Sequence, residues 1–211
     1  MGETYARIAG TFGAVASAEG LEAAFRAAFR RMPPMAFPDQ PPRRRAALER
    51  DWWRDLVAAT FSAAGAGESV RDFEGCFNGL FEHFADAAAW RARPGTRQAL
   101  AALRGRGIRT GIVSNFDHRL GVILDGLALT PLLDVVVLPS DAGVAKPHAG
   151  IFRFALRHLR VPPEETVYIG DDVEHDVEGA RAAGLHALDI TAVTPLTEIL
   201  ARLERLRSDS C

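Results

Sequence analysis

Cysteine is scarce: Cys76 and Cys211 are the only two in 211 residues, and they lie far apart. This excludes a disulfide framework and a thiolate zinc site, and it suits a reducing cytoplasm. No apolar run reaches the roughly 18 residues of a membrane span. No charged-then-apolar leader opens the chain. Neither sign of charge is in excess: 25 Lys+Arg stand against 27 Asp+Glu, a net charge of -2. The electrostatic case for nucleic acid or a membrane surface is therefore missing. No internal repeat is present. What remains is a chain 48% hydrophobic and 25% charged, the composition of a soluble globular protein with one or two domains.

Residues 1 to about 90 read as helical. Tyr5, Ile8, Phe12 and Val15 form one stripe, and Leu21, Phe25, Ala28, Phe29 and Met32 a second. The proline-rich loop Pro33 to Pro42 follows. Leu48, Trp52, Leu56 and Phe61 form a third stripe, and Phe73, Phe77, Leu80, Phe81 and Phe84 a fourth. Nine of the twelve Phe and all three Trp lie in this part, which predicts a four-helix unit with its own aromatic core. The Arg43-Arg44-Arg45 run reads as a solvated helix start.

The texture changes at Arg93-Pro94-Gly95, so residues 91–211 form the second expected domain. Strands are expected at Ile108–Val113, Asp134–Leu138, Thr166–Ile169 and His186–Ile190, alternating with helices. One helix opens at Lys146-Pro147, and a closing helix opens at Thr194-Pro195. The alternation predicts an α/β fold with a parallel sheet covered by helices.

Three groups of polar residues fall where strands end or helices begin. Asp171, Asp172 and Asp176 crowd three carboxylates into six residues after the Thr166 strand. Such a cluster is suited to a hard cation, Mg²⁺ first, although acids are also ordinary in a helix's first turn. Ser114 and Asn115 end the Ile108 strand, where a hydroxyl and exposed N–H groups can hold a phosphate oxygen; a turn serine is the plain alternative. Lys146 at a helix start is unfavourable against the dipole unless an anion lies near, or else it is a surface lysine. A hydroxyl, a cation and a metal site together describe a pocket that neutralises a phosphate on several sides.

The stretches I-V-S-N-F-D, A-K-P-H-A-G-I-F and Y-I-G-D-D-V-E-H-D-V-E-G-A-R-A-A-G come in that order. They resemble the second, third and fourth motifs of the haloacid dehalogenase-like (HAD) hydrolase superfamily. The resemblance covers about Arg93 to Ile190. M-G-E-T-Y-A, the Trp52-Trp53 pair and S-N-F-D-H-R-L are similar to the branch of haloacid dehalogenase-like hydrolase domain-containing protein 3. The resemblance implies a HAD-like Rossmannoid core over 91–211 and a helical cap domain over 1–90. It implies that Ser114 and the Asn115 backbone bind the transferring phosphoryl group and that Lys146 neutralises it and steadies the nucleophile. It makes Asp171 the Mg²⁺ ligand, with Asp176 or Asp172 as a further ligand or an anchor behind it. The implied reaction is attack by an Asp carboxylate on a small-molecule phosphate ester, then hydrolysis of the aspartyl-phosphate.

One element of the family pattern is lacking. The first motif, an apolar strand ending D-x-D-x-[TV], supplies the nucleophile, and no D-x-D occurs in this chain. In the family that strand lies centrally, between the Ile108 and Thr166 strands, so its absence predicts a gap with unpaired backbone groups. Two explanations are open. The start is misplaced by about 10–20 residues, enough for a strand and a loop. Otherwise the chain is truly truncated and binds rather than catalyses. As written, the chain is expected to be inactive. The reading is a Mg²⁺-dependent phosphatase of a small phosphorylated metabolite. Its alternatives are a non-catalytic binding or scaffold protein and a haloacid dehalogenase. Substrate identity and the choice of monomer or dimer are open.

Overall fold

A computed structural model describes residues 1–192 and Ile199; the closing helix expected from Thr194 lies outside the described residues. The chain divides into two compact units: Met1–Pro34 with Gln40–Ala89, and Met35–Asp39 with Trp90–Cys211. Five residues of the proline-rich loop thus group with the second unit.

The first unit holds four α-helices: α1 (Gly2–Thr11), α2 (Ala18–Phe29), α3 (Pro42–Ala63) and α4 (Phe73–His83). Each start has a local cause. The Ser17 side chain accepts the Gly20 N–H at 3.0 Å, and Asp72 accepts that of Gly75 at 2.9 Å. Pro42 takes the first position of α3, where its missing N–H costs nothing. Tyr5, Ile8, Leu21, Phe61, Phe77 and Leu80 bury one core, and Tyr5 meets Phe25 edge-on at 5.7 Å. Full burial of each such side chain contributes about 1.5–3 kcal/mol. Val15 departs from its expected stripe. Gly13, at φ +90°, turns the chain after α1, and Val15 is left 83% exposed.

The second unit runs α5 (Thr96–Gly105), β1 (Gly111–Val113), α6 (Arg119–Gly126), β2 (Val135–Val137), α7 (Pro139–Ala142), α8 (Ala149–Leu159), β3 (Val167–Gly170), α9 (Gly179–Ala182) and β4 (His186–Asp189). A π-helical turn, Val173–Glu178, leads into α9. The strands form two separate parallel ladders, β1 with β2 and β3 with β4. Val137, Ile151, Phe152, Leu156, Ala180 and Leu185 bury a core to which residues of all four strands contribute, with α8 at its centre. Phe152 on α8 packs edge-on against Tyr168 on β3 at 5.0 Å.

Two expectations are corrected here. The strand foreseen over Ile108–Val113 is only three residues long, and Ile108 is 42% exposed. A ladder on one side gives the segment before Gly111 little to pair with. The helix foreseen at Lys146-Pro147 starts at Ala149 instead, where the His148 ring accepts the Gly150 N–H at 3.0 Å. Lys146 therefore precedes the helix, and the helix-dipole reasoning does not apply to it.

Candidate functional site

Ser114 and Asn115 follow β1, and Asp171 and Asp172 follow β3, so both pairs stand just past the C-terminal ends of their strands. In α/β proteins this edge is where ligands collect. Lys146 ties the two ends together. Its backbone and the Asn115 amide hold each other reciprocally: Asn115 Nδ2 donates to the Lys146 carbonyl at 2.9 Å, and the Lys146 N–H donates to Asn115 Oδ1 at 2.8 Å. Its Nζ lies 2.5 Å from Asp176 Oδ1 and 3.1 Å from the Tyr168 hydroxyl. The ion pair is nearly enclosed, with side-chain exposures of 12% for Lys146 and 6% for Asp176.

Asp176 is the most heavily bonded group of the cluster. Its Oδ2 accepts the backbone N–H groups of Asp171 and Asp172, each at 3.2 Å, while Oδ1 faces Lys146 and Tyr168. The carboxylate lies against the Gly170 backbone so closely that a side chain there would collide with it. This close approach accounts for the glycine that ends β3. Asp172 turns elsewhere. It caps the π-helical turn, accepting from the His175 N–H at 2.8 Å and facing the His175 ring at 3.1 Å. Burial works to raise its pKa, but the hydrogen bonds from the His175 backbone and ring outweigh it and hold the carboxyl below the usual range. The Asp171 side chain is exposed.

The carboxylates suit Mg²⁺ in kind, as hard oxygen donors. They are, however, committed to different partners: Asp176 to Lys146 and two backbone N–H groups, Asp172 to His175. Asp171 is left as the candidate ligand, and Asp176 orients the backbone that carries it. Ser114 Oγ is half-buried and accepts the Phe116 N–H at 3.2 Å.

Two features escaped sequence reasoning. Tyr168 looked like strand filling, yet its hydroxyl reaches Lys146, Asp176 and, at 3.0 Å, the Val113 carbonyl on β1. Burial, then the nearby Asp176 charge, push its pKa far above the usual phenol range, so the hydroxyl keeps its proton. A tyrosine in an aliphatic strand was the available signal, because a buried phenol needs a partner. The second feature is the pair Asp117–Arg119, almost wholly buried. Arg119 donates to the carboxylate from its backbone N–H at 2.8 Å and from Nη2 at 2.5 Å. Phe116 sits between Arg119, 5.0 Å from its ring, and Trp90 at 5.5 Å. The turn after Ser114 is thereby fixed in shape.

A model of haloacid dehalogenase-like hydrolases matches residues 3–184. The chain belongs to the haloacid dehalogenase-like hydrolase family. Within it, the chain falls in the branch of haloacid dehalogenase-like hydrolase domain-containing protein 3. It is 40% identical to that protein from Xenopus laevis over 69% of this chain and 59% of the frog protein. It is 34% identical to the Mus musculus protein over 93% of this chain and 77% of the mouse protein. The frog match thus spans less than two-thirds of that relative's length. A glyceraldehyde 3-phosphate phosphatase from Methanocaldococcus jannaschii is 30% identical over 49% of this chain and 46% of its own. The crystal structure of a dehalogenase shares the fold, with a TM-score of 0.70 at 20% identity, over 95% of this chain and 90% of its own. Among the described residues, no helix of this HAD-like hydrolase is long and apolar enough to cross a membrane.

Proposed function

We propose that this chain carries the phosphate-handling part of a Mg²⁺-dependent phosphatase acting on a small phosphorylated metabolite in the cytoplasm. The observation that carries the reading is the convergence on Lys146: its backbone is clasped by Asn115 after β1, and its ammonium is held by Asp176 behind β3. A cation so fixed between two strand ends is preorganised for a phosphoryl group. Ser114 Oγ and the N–H groups beside it would bind a phosphate oxygen, and Lys146 would neutralise its charge. Asp171 would hold Mg²⁺, which when bound supplies charge stabilisation to the phosphoryl oxygens. The phosphatase among the relatives supports a phosphate ester over a haloacid. By its resemblance to the family's cap, the first unit would select among esters.

The proposed reaction passes through an aspartyl-phosphate. These 211 residues contain no D-x-D, so the attacking carboxylate would have to come from outside them. The test uses the protein isolated from its own cell, with phosphate release from a panel of sugar and triose phosphates read with and without Mg²⁺. Mg²⁺-dependent release that Asp171→Asn abolishes is the expected result. The intact mass is measured on the same sample; a value about 1–2 kDa above 22.8 kDa accommodates a further strand and loop. A mass of 22.8 kDa with no phosphate release overturns catalysis and favours a phosphate-binding role.

A further inference from the structure

A row of unneutralised cations lies away from the strand ends that carry Ser114 and Asp171. Arg153, Arg157 and Arg160 stand at i, i+4 and i+7 along α8 and its C-cap. Arg153 and Arg157 thus stand one turn apart on one face, about 6 Å along the axis at about 1.5 Å per residue, and Arg160 follows at the left-handed C-cap, φ +54°. All three are exposed, and none makes an ion pair among the described residues. Arg109, from the segment before β1, adds a fourth guanidinium by donating to the Leu159 carbonyl at the end of α8. Beside the row runs an open groove of about 570 Å³ with Val161, Pro162 and Pro163 as its accessible apolar lining. Because α8 leads into β3, its C-terminal end faces the start of that strand, whereas Asp171 follows its finish.

Cations in a helix's last turn complement its dipole, which accounts for Arg157 and Arg160. Arg153 lies six residues before Leu159, beyond the reach of that effect, and Arg109 belongs to another segment. Nor does overall composition explain the cluster, because the chain as a whole carries -2. Glu164 and Glu165 follow in the next turn but are exposed and form no ion pair with the row among the described residues.

Charge and shape together select the ligand. An oligophosphate would use the guanidinium groups and leave the apolar lining idle. A purely apolar segment would leave the guanidinium groups idle. We propose that this groove docks an acidic amphipathic helix of a partner protein. Its carboxylates at i and i+4 would repeat the Arg153–Arg157 spacing of about 6 Å, with a third one turn further on to meet Arg160, and its apolar side chains would cover Val161, Pro162 and Pro163.

The test is fluorescence anisotropy of the intact protein with a labelled synthetic peptide of about 15 residues, long enough for about four helical turns. The peptide carries Glu at i, i+4 and i+7 with Leu between, and is used at about 0.1 M salt. Saturable binding is expected. It should weaken at least about tenfold in Arg153→Glu/Arg157→Glu, and also when the peptide's Leu are replaced by Ser. If the charge-reversed protein fails to fold by circular dichroism, Arg153→Gln/Arg157→Gln is read instead, with at least about threefold weakening expected. No saturation up to about 1 mM protein overturns the proposal, as does binding indifferent to the arginines. Full displacement by tripolyphosphate, with no effect of the Leu replacement, also overturns it in favour of a small-anion site.

Discussion

Lys146 and Asp176 illustrate how much one buried residue depends on its neighbours. Removing one member of a buried ion pair typically costs about 3–5 kcal/mol, because the other charge is stranded. Here the loss would be uneven: Asp176 retains two backbone N–H donors and the Tyr168 hydroxyl if Lys146 is removed, whereas the Lys146 ammonium retains, among the described residues, the Tyr168 hydroxyl. Tyr168 yields a prediction with a definite sign. Burial and the Asp176 charge raise its folded pKa, while in the unfolded chain the phenol titrates near about 10. The folded state thus keeps a proton that the unfolded state releases. The stability this represents is full below about pH 10 and is lost as the pH rises past it. Urea unfolding of wild type should weaken by roughly 0.8 kcal/mol more than that of Tyr168→Phe between about pH 8 and pH 10.5. Parallel losses would show that the hydroxyl does not hold its proton. The residue types at Ser114, Asn115, Lys146 and the three aspartates were legible in the sequence. The bond that turns Asp176 inward was not, because its partner Lys146 lies 30 positions away in the chain.

At the scale of elements, the two ladders explain why strands foreseen as five and six residues are three. A strand that can pair on one side only gains half the backbone bonds that a central strand would. The Ser114 N–H bonds the Val137 carbonyl, and the register alternates, so Ile112 and Ser114 face β2 while Gly111 and Val113 face away from it. Val113's carbonyl meets the Tyr168 hydroxyl instead of a strand. Native-state hydrogen exchange should therefore be faster at the Gly111 and Val113 amides than at those of Ile112 and Ser114. Equal protection at all four would mean that the outer edge of β1 is covered. The gap was anticipated from the lack of a first strand, but not the side chain that bridges it. Period-2 patterning marks a strand and its faces; it does not say which edge finds a partner.

For the whole molecule, the first unit's core of Tyr5, Phe61, Phe77 and Leu80 shares no residue with the α8-centred core of the second. Phe77→Ala should cost about 3–5 kcal/mol and speed exchange in α1–α4 while leaving β1–β4 amides unchanged. Acceleration in both sets would mean that the chain unfolds as one unit. The aromatic stripes, the caps at Ser17 and Asp72 and the strand–helix alternation are local, and the sequence alone determined them. They follow from the period of side-chain burial and from hydrogen bonds reaching only a few residues. The motifs likewise marked the polar residues that stand just past the strand ends, Ser114, Asn115, Asp171 and Asp172. Tertiary structure decided that the strands form two ladders, that Lys146 precedes its helix and turns to Asp176, and that Tyr168 closes on Val113. These depend on contacts between segments distant in the chain, where the packing of α8 against both ladders selects among partners that the local sequence leaves equivalent.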